Sequence, residues 1–274
     1  MKLDLHNHTS RCNHATGTLE EYISKAIEHT IDIYGFSCHA PIKQGIDPNN
    51  RMALEDISSY IEDIKNIKKK YQKKIKILAG FEVDYLKGDY IYDEVLDQNI
   101  DYLIGSVHFI PQNNSKFSIF NPKFWGFDNP EFIDQYEKKD IDKIWVDYFD
   151  SIKDMAKSKK FDIVGHLDLI KIFGFKPKRE IIDIATPAIQ EIKNSNMTVE
   201  INSAGLRKPA CEQYPSKELL KLCFKYDIDI TFGSDAHKTD DISKNFEICL
   251  KLAKDVGYKK AVYFENRVKK VVSI

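Results

Sequence analysis

Short runs of β-branched and aromatic residues alternate with helical segments along most of the chain. These runs predict strands over 1–5, 31–38, 75–83, 102–107, 161–165, 197–201, 228–233 and 260–264. Between the first two, Thr18-Leu19-Glu20-Glu21 has the order of a capping box. Tyr22, Ile23, Ala26 and Ile27 come after it at helical spacing. Leu54, Ile57, Tyr60, Ile61 and Ile64 repeat the 3.6-residue period, as do Ile181, Ile182, Ala185, Ala188, Ile189 and Ile192, where Pro187 is expected to kink or break the helix. Leu219, Leu220, Leu222 and Cys223 continue the series, then Ile248, Leu252 and Val256.

Seven or eight βα units in order imply a parallel sheet with helical crossovers. At this length, closure into a TIM-like barrel spanning 1–274 as one domain is the leading architecture. An open doubly wound sheet would carry a Gly-rich phosphate loop after the first strand, and none is present after Leu5. The period fails over 110–140, an insertion rich in aromatic residues, Pro and Asn that includes Phe117, Phe120, Phe124, Trp125, Phe127 and Phe132. It begins at a strand end, so it reads as a lid or substrate wall, or as a packed excursion outside the barrel.

Composition narrows the class. Hydrophobic residues make up 42% and charged residues 30%, which supports a real core. Forty-one basic against 42 acidic residues leave a net charge of −1, which speaks against non-specific nucleic-acid binding. No apolar run is long enough for a membrane span, and Met1-Lys2-Leu3-Asp4-Leu5-His6 lacks the apolar stretch of a signal peptide, so the expected location is the cytoplasm. Five cysteines with no CxxC argue against a disulfide framework or a zinc ribbon. The lysine-rich stretch 65–76 reads as a solvated helix face.

The candidate chemistry lies at the strand ends and just past them. His6 and His8, then His14, come after the first strand, and His39 after the second. Glu82 ends the third, His108 the fourth and His166 the fifth. Asp235 and His237 come after the seventh. Thus seven of eight histidines and two carboxylates fall where parallel barrel strands open on one face; only His29 sits in a helix. Imidazole and carboxylate are ligands for Zn, Mn or Fe ions, and nine donors exceed the needs of one ion. Two or three ions sharing a carboxylate suit phosphoester hydrolysis. Cys12, between His8 and His14, could touch metal but reads as a packing residue, and alternation sends Cys38 to the face opposite His39.

These segments closely resemble the PHP (polymerase and histidinol phosphatase) family: Asp4-Leu5-His6-Asn7-His8-Thr9, His14, Cys38-His39-Ala40-Pro41, Gly80-Phe81-Glu82-Val83-Asp84-Tyr85, Gly105-Ser106-Val107-His108-Phe109, Gly165-His166-Leu167-Asp168-Leu169-Ile170 and Gly233-Ser234-Asp235-Ala236-His237. The stretches at 82–85, 105–110 and 201–207 are similar to the histidinol-phosphatase branch. The resemblance implies a distorted (β/α)7 barrel with a trinuclear site. It places His6, His8, Glu82 and Asp235 on a first metal. It places Glu82, His108 and His166 on a second, and His14, His39 and His237 on a third. It further implies a phosphatase acting through a metal-bridging hydroxide, with histidinol phosphate in histidine biosynthesis as the expected substrate. Asp235 or His237 is the expected proton donor to the leaving oxygen. Arg207 resembles the branch's phosphate-binding arginine, Lys171 stands where a second arginine is usual, and Asp128, with Trp125 and Phe127, is expected to meet the amine and imidazole. The alternatives are another small phosphate ester, a nucleotide or an oligonucleotide as substrate, an amidohydrolase-type hydrolase, and a non-catalytic metal-binding module. An amidohydrolase would want a lysine or Glu where His108 ends the fourth strand, and leaves His14 and His39 unexplained. Oligomeric state is left open.

Overall fold

The computed structural model describes residues 1–111 and 123–274. Seven parallel strands form a nearly closed barrel: β1 (Leu3–Asp4), β2 (Ile33–His39), β3 (Lys76–Asp84), β4 (Tyr102–Ser106), β7 (Ile163–Val164), β8 (Thr198–Asn202) and β9 (Ile230–Gly233), hydrogen-bonded in that order. Helices α1 (Leu19–Glu28), α2 (Ile57–Tyr71), α3 (Asp93–Leu96), α4 (Ile141–Ser158), α5 (Ile181–Asn194) and α6 (Lys217–Lys225) make the crossovers, and α7 (Phe246–Val256) comes after β9. α1 starts on the predicted capping box: Glu21 N donates to Thr18 Oγ1 at 3.2 Å and Thr18 N donates to the Glu21 carboxylate at 2.7 Å. α5 runs unbroken through Pro187, contrary to the expected break. Its buried face of Ile184, Ala185, Ala188, Ile189 and Ile192 holds it to the barrel more strongly than one lost backbone hydrogen bond loosens it.

The ends of the sheet are stitched together just past the strands. Leu5 N donates to Phe232 O at 2.9 Å, Asp235 N to His6 O at 2.8 Å and His8 N to Ala236 O at 2.9 Å. The buried Asp4 carboxylate clamps the same seam, accepting from Ser234 N at 2.8 Å, Ser234 Oγ at 2.6 Å and Ser243 N at 3.1 Å. The seam therefore sets His6 and His8 opposite Asp235. Within the barrel, Tyr102 reaches across to Gly35 and Gly80, where a Cβ would collide with its ring. Its hydroxyl donates to Leu5 O at 2.6 Å.

The eighth expected strand does not enter the barrel. β10 (Lys260–Glu265) pairs antiparallel with β11 (Val268–Ser273), and Ala261, Val262 and Phe264 bury against residues that include Leu78, Tyr102 and Ile163. The hairpin is tied to residues at or just before the strand starts. Arg267 N donates to Asp101 O at 2.9 Å, Arg267 pairs with Asp162, Lys76 pairs with Glu265, and Lys269 meets Asp229 at 2.8 Å. It caps the end of the barrel opposite the histidines. A seven-strand barrel leaves no place for an eighth parallel strand, and the two-residue turn at Asn266-Arg267, both in the left-handed region, folds the chain back instead.

Part of the 110–140 segment packs on the barrel and part lines a cavity. β5 (Phe109–Pro111) and β6 (Phe124–Gly126) pair antiparallel, and Phe117 and Phe120, between them in the chain, lie outside the described residues. Trp125, Phe127 and Tyr136 are buried, with Trp125 edge-on to Tyr136 at 4.8 Å between ring centroids and Phe127 edge-on to Tyr148 at 5.4 Å. Asp128 to Phe132 instead line the cavity above the histidines. Among the described residues no helix is long and apolar enough to cross a membrane.

Candidate metal centre

Strand alternation and the β1–β9 seam bring all nine predicted donors to one end of the barrel. Glu82, buried at the end of β3, is the hub. Its Oε1 lies 2.8 Å from His166 Nε2 and 3.5 Å from His108 Nε2. Its Oε2 lies 2.9 Å from His39 Nδ1, 3.3 Å from His6 Nε2 and 3.6 Å from His8 Nε2. Asp235 Oδ1 lies 3.0 Å from His8 Nε2, 3.6 Å from His237 Nδ1 and 3.9 Å from His6 Nε2. The donor atoms fall into groups that each fit within 4.8 Å: His6, His8 and Asp235; Glu82, His108 and His166; His8, His39 and His237; Cys12, His14 and His237; and His8, Cys12 and Cys38. The first two groups match the expected first and second positions, except that Glu82 reaches the first from its other oxygen. At the third, His14 and His237 group with Cys12, while His39 groups with His8 and His237.

The imidazoles are aimed by partners behind them. His6 Nδ1 donates to Glu200 Oε1 at 2.8 Å and His108 Nδ1 to Asp84 Oδ1 at 2.6 Å. His14 Nδ1 donates to Cys12 O at 2.8 Å and His237 Nδ1 to Asp235 O at 3.2 Å. Each such bond fixes the tautomer and leaves Nε2 with a lone pair facing the centre. Among the described residues, His6 Nε2, His237 Nε2 and Glu82 Oε2 are buried without any hydrogen-bond partner. His39 Nδ1 and Glu82 Oε2 sit 2.9 Å apart yet are not aligned as a hydrogen bond. Buried lone pairs that converge without pairing are costly unless a cation takes them, so the residues fit a bound divalent metal.

Electrostatics says the same. Burial pushes the Glu82 and Asp235 carboxyls up, but the surrounding histidines outweigh it and hold both well below the usual range. Burial works against charge on His8 and His108, yet Asp235 beside His8 and Asp84 beside His108 raise them to about 9 and about 10. Burial takes His39 down to about 4. The carboxylates thus pull positive charge into the centre, and metal competes with protons for it. Two donors pay for their placement in backbone strain: His166 (φ 24°) and Asp235 (φ 53°) are left-handed, at about 1–3 kcal/mol each.

Above the centre opens a cavity of about 850 Å³, walled by the metal-facing side chains, Arg51, Asp128, Arg207 and Lys208. Arg207 donates from Nη2 to Ser234 O at 2.7 Å, and its Nη1 has no hydrogen-bond partner among the described residues. Burial raises the Asp128 carboxyl. Lys171 is not brought to the cavity. Its ammonium is buried on Asp168 and Glu212, each at 2.9 Å, and on Gln213 O at 2.8 Å, which leaves it no reach toward a ligand. Trp125 and Phe127 are likewise drawn away from the cavity lining by their aromatic packing, and of the three residues expected to meet the amine and imidazole only Asp128 lines it.

Residues 4–204 match the family model for the PHP domain. The chain belongs to the PHP family. A relative from Deinococcus radiodurans named "Probable histidinol-phosphatase" is 33% identical over 96% of each chain. The Bacillus subtilis "Histidinol-phosphatase" is 29% identical over 91% of this chain and 98% of its own. The crystal structure of histidinol phosphate phosphatase from Lactococcus lactis, complexed with zinc, L-histidinol and phosphate, superposes with a TM-score of 0.77, covering 98% of each chain at 19% identity. That likeness extends to the fold of this PHP protein.

Sequence reading missed the residues that aim the donors. Glu200 lies outside every family segment, while Asp84 and Asn202 fall inside the 82–85 and 201–207 stretches but were given no role there. The available signal was alternation: Asp84 shares a strand face with Glu82, and Glu200 is a charged residue in the middle of an otherwise buried strand. Arg51 was also missed. It is buried and holds Asp84 Oδ2 at 2.8 Å.

Proposed function

We propose that this protein is a metal-dependent phosphoric monoester hydrolase acting on L-histidinol phosphate, one barrel domain over 1–274 working in the cytoplasm as part of histidine biosynthesis. One observation carries the reading: seven of the nine donors, all but His6 and His8, line a cavity that has the Arg207 guanidinium on one wall and the half-buried Asp128 carboxyl on another. Histidinol phosphate has the matching ends, a phosphate and an ammonium. Its curated relatives named for this activity cover nearly the whole chain.

His6, His8, Glu82 and Asp235 would hold a first ion, Glu82, His108 and His166 a second, and His14, His39 and His237 a third, the set suiting Zn, Mn or Fe. Bound there, such ions would activate water for attack at neutral pH and would neutralise charge on the phosphoryl group. The protein's own part is placement. Arg207 takes a phosphate oxygen through Nη1, held in line by Ser234 O, and Asp128 pairs with the substrate ammonium. Asp235 or His237 helps to protonate the leaving oxygen. If Asp235 delivers the proton, replacing Asp235 with metals retained slows poor leaving groups more than p-nitrophenolate; equal loss for both refutes the role.

The deciding experiment is phosphate release from L-histidinol phosphate by metal-assayed protein, beside sugar phosphates, nucleotides and a phosphodiester. A kcat/KM of about 10⁴ M⁻¹s⁻¹ or more, well above the panel, is expected. A better substrate elsewhere in the panel keeps the phosphoesterase chemistry and overturns the substrate.

A further inference from the structure

Cys12 has no role in the centre described so far, yet it stands at its edge. It ends a short 3₁₀ turn (Ser10–Cys12) between His8 and His14 and is fully buried. Its Sγ lies 4.0 Å from His14 Nε2, and it falls with His14 and His237 into one group of donor atoms within 4.8 Å. Ligands on one tetrahedral zinc, at about 2.3 Å for sulfur and about 2.0–2.1 Å for nitrogen, stand about 3.3–3.6 Å apart, so these donors close on an ion by moving together by roughly an ångström or less. Both histidines already turn Nε2 inward, because their Nδ1 atoms donate to Cys12 O and Asp235 O. His237 Nε2 is buried and unpartnered among the described residues. Cys38 Sγ donates to Thr9 O at 3.5 Å, the same carbonyl that Cys12 Sγ reaches at 3.2 Å, and Cys38 groups with Cys12 and His8 within 4.8 Å. One carbonyl therefore serves two thiols, and it remains with Cys38 when Cys12 turns to a metal.

We propose that Cys12 is a thiolate ligand of the third metal position, beside His14 and His237. Binding replaces the S–H bond by a sulfur–metal bond and releases the proton to solvent. The inference rests on the metal-dependent reading above and refines it. A sulfur donor makes this one position thiophilic, while the other two keep only nitrogen and oxygen. The three sites then differ in what they hold: the third favours zinc over manganese, and the others accept either.

The test is the visible and near-ultraviolet spectrum of the full-length protein with cobalt(II) in place of its metals, recorded with cobalt per chain. Three cobalt per chain with a thiolate-to-cobalt charge-transfer band in the wild type is expected. The band disappears in C12S and persists in C38S. Cys223 and Cys249 lie in α6 and α7, and Cys211 is exposed, so a band retained in C38S points to Cys12 even if C12S fails to fold. Three cobalt per chain with no charge-transfer band overturns the proposal, as does a band that survives C12S or is lost in C38S, and so does a ceiling of two cobalt. In a second arm, zinc-loaded protein is dialysed against excess manganese. The wild type is expected to retain about one zinc per chain more than C12S, and equal retention counts against the thiolate. Neither readout uses turnover, so failure of the histidinol phosphate assay leaves this result standing, and the reverse holds.

Discussion

Glu200 gives the sharpest test of how the fold aims its ligands. Its carboxylate is buried and accepts from three donors: His6 Nδ1 at 2.8 Å on Oε1, and His166 N at 2.8 Å and Asn202 Nδ2 at 3.1 Å on Oε2. Glu200→Gln keeps the shape and removes one acceptor. If the amide oxygen faces His6, the NH₂ confronts two N–H donors, and unmade bonds at a buried position cost about 1–3 kcal/mol. If the amide flips, its NH₂ faces His6 Nδ1. The imidazole must then move its proton to Nε2, the atom 3.3 Å from Glu82 that is meant for metal. One orientation weakens the fold and the other weakens metal binding. Loss of a ligand's orienting partner typically lowers metal affinity about 10–100-fold, or about 1.4–2.7 kcal/mol. Chelator competition and calorimetry on the same preparation read both quantities. The expected result is a loss in at least one of them, with kcat largely recovered at saturating metal. Unchanged metal affinity together with an unchanged melting temperature would refute the aiming role of Glu200.

The same geometry yields three further outcomes. Arg207→Ala removes a charged donor to phosphate and should lower kcat/KM about 10–100-fold, mainly through KM, with metal content unchanged; unaltered kinetics remove it from the site. Asp128→Asn should cost more with histidinol phosphate than with a phosphate monoester lacking an amine, and parallel losses would show that it does not read the ammonium. Tyr102→Phe takes the hydroxyl from Leu5 O inside the barrel and should destabilise by about 1–3 kcal/mol in denaturant unfolding, with metal content retained at low denaturant; full stability would mean the hydrogen bond contributes nothing there.

The local chain determined much of this protein. Thr18 and Glu21 make a capping box wherever the chain goes, because the bonds span three residues. The apolar strand runs placed the histidines and carboxylates of the centre at strand ends or just past them, because a run of β-formers shows where a strand stops. Parallel strands joined by helices open their C-terminal ends on one face, so the nine donors could be collected before any distance was known.

Tertiary structure decided the rest. Pro187 reads locally as a break, but the apolar face of α5 outweighs it. The eighth strand reads like its predecessors, and only barrel closure by Asp4 and Ser234 turns it into a cap. Lys171 and Arg207 look alike as charges near a phosphate; Asp168 and Glu212 capture one, while Ser234 O presents the other. Glu200 and Cys12 carry only a weak local signal, because their meaning lies in His6, His14 and His237, which are distant in sequence or come from other elements. A hydrogen bond or a metal ligand needs two groups at one point in space, and the sequence specifies that coincidence only through the packing of the whole barrel.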